Sequence, residues 1–160
     1  ALGGVLGWDW LANISWFGTP SMATVTIIVV SIWQNIGFLM IIYTAGLQTI
    51  PKDVMESAEL DGCSGLKKVL KIELPLLMPT VTINLFVSIS GAFKSFDIPN
   101  AMTGGGPYGS TMPVAMNIYQ EAFTKYNLGY GSAKSVILFL TVAAVTLIQL
   151  YCTRKKEVEY

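Results

Sequence analysis

Residues 22–47 read MATVTIIVVSIWQNIGFLMIIYTAGL, an uninterrupted stretch without one charged side chain. At ~1.5 Å per helical residue it is long enough to cross the ~30 Å hydrocarbon core of a bilayer. Two more apolar stretches follow, residues 76–93 (LLMPTVTINLFVSISGAF) and 135–153 (SVILFLTVAAVTLIQLYCT). The second is shorter and carries Pro79, Asn84, Ser88, Ser90 and Gly91, with Lys94 at its end, so it is expected to pack against protein or line a wet path. The third stops at Arg154, Lys155 and Lys156, a stop-transfer pattern.

Composition agrees. Of 160 residues 52% are hydrophobic and only 12% charged, with a mean hydropathy of +0.55, whereas a soluble domain carries about 25% charged residues. Ten acidic and ten basic residues cancel, and no Lys/Arg stripe interleaves with aromatics, so nucleic-acid binding is not expected. The absence of histidine excludes imidazole bases and His metal ligands within the chain. Cys63 and Cys152 have no partner at metal-site or redox spacing. The opening run Ala1–Gly7 lacks a basic n-region and is not expected to be a signal peptide.

Basic residues set the orientation. Lys52, Lys67, Lys68 and Lys71 lie between the first two spans and Arg154, Lys155 and Lys156 follow the third, so both segments should face the cytoplasm. The opening segment, with Trp8, Trp10, Trp16 and Phe17, and the segment 97–133 should face outward, the tryptophans forming an interfacial belt. In the outer segment Thr103–Pro107 predicts a turn, and Val114, Ile118, Ala122 and Tyr126, recurring every four residues, predict a short helix over 113–126. The Gly104–Gly106 run is not a phosphate loop, because no Gly-Lys-Ser/Thr follows it. Lys94 and Asp97, three apart, suggest a surface ion pair.

The hydrophilic loop 51–75, PKDVMESAELDGCSGLKKVLKIELP, predicts a helix, a glycine corner and a second helix. Pro51 suits a first helical position, Asp53 and Glu56 favour the positive end of the helix dipole, and Gly62 is a natural terminator near Asp61. Ser64 is expected to cap a second helix in which Leu66, Val69, Leu70 and Leu74 form an apolar stripe, with Pro75 closing it. Two helices joined by a corner and anchored at both ends by spans would press on a soluble partner like a lever.

In this loop Glu56, Ser57 and Ala58, three residues, Gly62, nine residues, then Ile72, Leu74 and Pro75 match a spaced signature. The chain thereby resembles the integral-membrane subunits of ATP-binding-cassette importers, whose signature is E-A-A, three residues, G, nine residues, I-x-L-P; Ser57 is the one departure, small for small. The resemblance implies coupling helices that dock on a cytoplasmic ATPase dimer, with Glu56, Ser57, Ala58, Asp61, Gly62, Leu66, Ile72, Leu74 and Pro75 as the coupling residues. Trp33, Gln34, Ile36, Gly37 and Phe38, together with Phe96, Asp97, Met102, Thr103, Gly105, Gly106, Pro107, Ser110 and Thr111, look like the sugar-import branch typified by the maltose and glycerol-3-phosphate systems. That implies a second related permease, a periplasmic or lipid-anchored solute-binding protein, and a bacterial plasma (inner) membrane location. The family permease has six or more spans, and the chain resembles its C-terminal part.

The fold expected is therefore all-α, a polytopic transmembrane helical bundle of three spans with cytoplasmic coupling helices. No cofactor and no catalysis are expected in this chain, ATP being used by the partner. Asn84, Ser88, Gly91 and Phe93 are candidates for the solute path, with Trp33 as a further flat surface; the same small and amide side chains could equally be helix-packing glue. An importer of the same build for another solute, an ion-driven secondary transporter and a soluble helical interaction module are the alternatives. The ion-driven reading would call for acids within the spans, which hold none; the soluble module would call for a more polar surface.

Overall fold

The computed structural model describes residues 14–155, so Trp8, Trp10 and Lys156 lie outside the described residues. Thr19 opens the first long helix, α1 (Pro20–Gln48). Its backbone is extended, its Oγ1 accepts from Met22 N at 3.4 Å, and Pro20 occupies a position where a missing N–H costs nothing. Hydroxyls inside α1 satisfy themselves on the helix itself: Thr24 donates to Pro20 O at 2.8 Å, Thr26 to Met22 O at 2.8 Å and Ser31 to Ile27 O at 2.7 Å. Such back-bonding lets a polar side chain sit in hydrocarbon without an orphaned proton. At the C-terminal end Thr49 donates both its N–H and its Oγ1 to Gly46 O.

The loop 51–75 forms α2 (Lys52–Leu60) and α3 (Leu66–Leu76). Pro51 is the N-cap of α2, with ψ 136°, one place earlier than expected. Ser64 does not cap α3: Gly65 takes the N-cap at φ +57°, ψ −135°, and no side chain bonds the free amides. Nor is α3 a regular α-helix ending at Pro75. Val69–Glu73 forms a wider π-helical turn, in which Leu74 N–H reaches Val69 O, and the helix runs on to Leu76. At Leu77 it turns by 71° into α4 (Met78–Phe93), so Pro75 precedes a bend rather than a stop. Sixteen residues make α4 about 24 Å long, a short crossing.

The outer segment is more helical than its glycines suggest. Asp97–Thr103 forms α5, closed by Gly104 at φ +58° with its N–H on Asn100 O. Val114–Tyr119 forms α6, extended by a π-helical turn over Gln120–Thr124; Tyr126, at φ +59°, lies past its end. The last helix, α7 (Leu128–Arg154), begins before the expected Ser135 and includes Lys134. That charge is tolerated because Lys134 Nζ donates to Asn117 Oδ1 at 2.7 Å and lies 3.7 Å from Glu121, which also pairs with Lys125 at 2.8 Å. Lys94 and Asp97 are not among the ion pairs of the described residues.

α1 and α7 are each long and apolar enough to cross a membrane, and α3 and α4 pass the same test only when taken together as one pair bent by 71°. α4 packs on α7, where Gln149 Nε2 donates to Thr82 O at 3.4 Å, and α1 touches α4, near its own C-terminal end at Gly46, and also α5. Ile28, Val29, Ile32, Trp33, Phe38, Met40 and Ile41 on α1, and Ile137, Phe139, Leu140, Leu147 and Ile148 on α7, remain exposed. Only lipid or further protein can cover so much apolar side chain.

Candidate coupling surface and solute cleft

The corner between α2 and α3 is fixed by backbone geometry. Gly62 N–H bonds to Glu59 O at 3.0 Å and Cys63 N–H to Ala58 O at 2.9 Å, the paired bonds of a Schellman cap, with Gly62 at φ +74°. A Cβ on Gly62 would meet nothing within 4 Å, so the conformation and not space demands glycine there. Across the corner Lys68 Nζ binds Glu59 Oε1 at 2.6 Å, bracing α3 against α2.

What the corner displays is apolar. Leu60, Leu66 and Leu70 are 89%, 80% and 62% exposed, and Val69 and Leu74 join them. The stripe of α3 therefore does not pack inward; among the described residues it is a surface without a partner. Glu56, Ser57, Asp61 and Gly62 are exposed beside it, Ala58 is buried, and Ile72 and Pro75 are half-buried where α3 approaches the bend. The structure thus gathers Glu56, Ser57, Asp61, Gly62 and Leu66 on one exposed corner and leaves Ala58, Ile72 and Pro75 to its support.

A cleft of about 950 Å³ opens between α1 and α4, within the size of small-molecule sites. Ser31, Gln34, Asn35 and Tyr43 line it from α1, Ser88 and Gly91 from α4, and Lys94, Ser95, Phe96 and Asp97 at the end where α4 meets α5. Asn35 spends one amide proton on Ser31 O at 2.8 Å and keeps its acceptor. A few hydroxyl and amide groups interrupt a largely apolar lining of Ile, Leu and Met side chains.

Of the four residues expected on a solute path, the cleft wall contains Ser88 and Gly91 but neither Asn84 nor Phe93. Phe93 is half-buried, and Asn84 is 3% exposed. Trp33 is 76% exposed and also outside the wall, the aromatic surfaces being Tyr43 and Phe96 instead. Sequence reading missed Ser31, Gln34, Asn35 and Tyr43. Their signal was present as polar breaks in an otherwise apolar span, but polar residues spread over a helix do not say which face a neighbour will enclose.

Comparison with known proteins agrees with this architecture. The chain is 37% identical to the probable starch degradation products transport system permease protein AmyD of Thermoanaerobacterium thermosulfurigenes, over 94% of this chain and 51% of that protein. It is 37% identical to the trehalose/maltose transport system permease protein MalF of Thermococcus litoralis over 88% and 47%. It is 36% identical to the sn-glycerol-3-phosphate transport system permease protein UgpA of Brucella abortus over 94% and 50%. The chain spans about half the length of these relatives. Residues 4–158 match the family described as binding-protein-dependent transport system inner membrane component, and the chain belongs to that family.

Proposed function

We propose that the chain is the C-terminal half of a permease subunit of an ATP-driven importer, carrying a sugar or sugar derivative inward across the bacterial inner membrane. The exposed corner 56–66 carries this reading. Glu56, Ser57, Asp61 and Gly62 stand beside uncovered Leu60 and Leu66 on a braced turn between two spans, on the side that the lysines mark as cytoplasmic. A dimer of cytoplasmic ABC ATPases covers that corner. ATP is bound and hydrolysed there and not in this chain; the push passes through α2 and α3 to the bend at Leu77 and so to α4.

The relatives' names, which speak of starch degradation products, trehalose, maltose and glycerol-3-phosphate, support a hydroxyl-rich solute, as does the mixed lining of the α1–α4 cleft. A second related permease completes the path, and a periplasmic or lipid-anchored solute-binding protein delivers the solute to the outer side. The full-length parent should co-purify with its ATPase in detergent, and Glu56→Lys and Gly62→Pro should insert normally yet lose both the ATPase and ATP-dependent uptake. Full ATPase recovery and uptake in both variants would refute the coupling role.

A further inference from the structure

Asn84 is 3% exposed, and among the described residues neither its Nδ2 nor its Oδ1 has a partner. Its buried neighbour in sequence, Thr82, differs in donating to Met78 O at 2.9 Å. A buried amide left unpaired lowers the stability of the conformation that holds it, and asparagine is a poor helix former besides.

Its position says where a use lies. Residues 80, 84, 88 and 91 fall on one face of α4. Ser88 and Gly91 form the cleft wall on the outer side of Asn84. One turn to the cytoplasmic side, Thr80 packs so tightly on Gly46 of α1 that a Cβ there would overlap the Thr80 side chain. On α1 Tyr43 is in the wall, one turn outward of Gly46. Along that face Asn84 therefore sits between the cleft-wall residues Ser88 and Gly91 and the Gly46–Thr80 contact. That contact joins a glycine to a small side chain, and among the described residues no hydrogen bond or ion pair crosses it, so α1 and α4 can part there without stripping a polar interaction.

We infer that Asn84 is an exit-side contact for the solute. When α1 and α4 separate at Gly46–Thr80, the amide enters the widened path, and its two donors and its acceptor exchange with the hydroxyls of a sugar leaving the cleft. The inference rests on the reading of the α1–α4 cleft as the solute path. It makes the orphaned amide a cost of the closed state that opening relieves, which favours release.

The test uses the full-length permease with its ATPase and binding protein in proteoliposomes, with [14C]maltose as the probe. Asn84→Leu should assemble, melt at or above the wild-type temperature and hydrolyse ATP, yet take up maltose about tenfold more slowly, the loss of roughly one hydrogen bond. Asn84→Cys, read by peptide mass spectrometry after treatment with a membrane-impermeant methanethiosulfonate, should be modified from the cytoplasmic side in one of the nucleotide-free and vanadate-trapped states and protected in the other. Wild-type uptake in Asn84→Leu, a fall in its assembly or melting temperature, or protection of Cys at 84 in both states would each overturn the inference. Failure of the wild-type complex to take up maltose or any other sugar would instead overturn the sugar reading, because the labelling needs no sugar.

Discussion

Replacing Gly62 isolates the geometry of the coupling corner from its chemistry. At φ +74° an L-residue with a Cβ pays about 1–2 kcal/mol for the left-handed conformation, and no steric term adds to it because no atom lies within 4 Å of that Cβ. If the ATPase recognises only the corner seen here, Gly62→Ala weakens its binding by up to about 5- to 30-fold, since each 1.4 kcal/mol is tenfold. Gly62→Asn should lose less, because asparagine tolerates this region, and Gly62→Pro should lose most, because its φ is fixed near −65° and the N–H bonded to Glu59 O is gone. Gly129→Ala is the control: that glycine is helical, with open space around it and no positive φ. Titrating the detergent-solubilised complex with purified ATPase gives the affinities. Equal affinities for Gly, Asn and Ala at 62, or an equal loss for Gly129→Ala, would refute the argument that backbone conformation at the corner sets coupling.

Two further outcomes follow from the outer end of the bundle. A Cβ on Gly131 would lie 2.7 Å from Ala122 Cβ, so Gly131→Ala should cost about 1–3 kcal/mol as α6 is pushed off α7, lowering the melting temperature in detergent, and Ala122→Gly should restore part of it. The Glu121 carboxyl is held below its ordinary value of 4.5, first by the Lys125 hydrogen bond, against the opposing effect of burial. A carboxyl with a depressed folded pKa contributes stability that is complete above 4.5 and is lost as pH falls through the lowered value. The wild-type melting temperature should therefore drop more than that of Glu121→Gln on acidification below pH 4.5, and parallel curves would contradict the assignment.

The fold class and the coupling loop were legible in the sequence for reasons that need no tertiary information. A stretch such as 22–47 can satisfy its backbone in hydrocarbon only as a helix, and its length against the bilayer makes it a span. Gly62 was legible as a helix terminator because only glycine takes φ +74° without strain, and the Schellman bonds confirm it. The site was less legible. Spacing grouped Asn84, Ser88 and Gly91, and Phe93 was added as a flat aromatic surface, although the fold puts Ser88 and Gly91 in the cleft wall and Asn84 and Phe93 outside it.

The start of α7 and the bend at Leu77 show what tertiary structure decided. The third span was expected from Ser135; Asn117 and Glu121, from the preceding helix and its extension, pair with Lys134 and let the helix begin at Leu128. Pro75 looked like a stop because it lacks an N–H, whereas the wide turn at Val69–Glu73 carries the chain through it to a 71° bend. Local sequence sets which backbone conformations are cheap and which segments must leave water. Which polar groups are paired, which apolar stripe stays uncovered and which helix faces enclose a cleft depend on contacts between distant segments, and those exist only once α1, α4 and α7 have met.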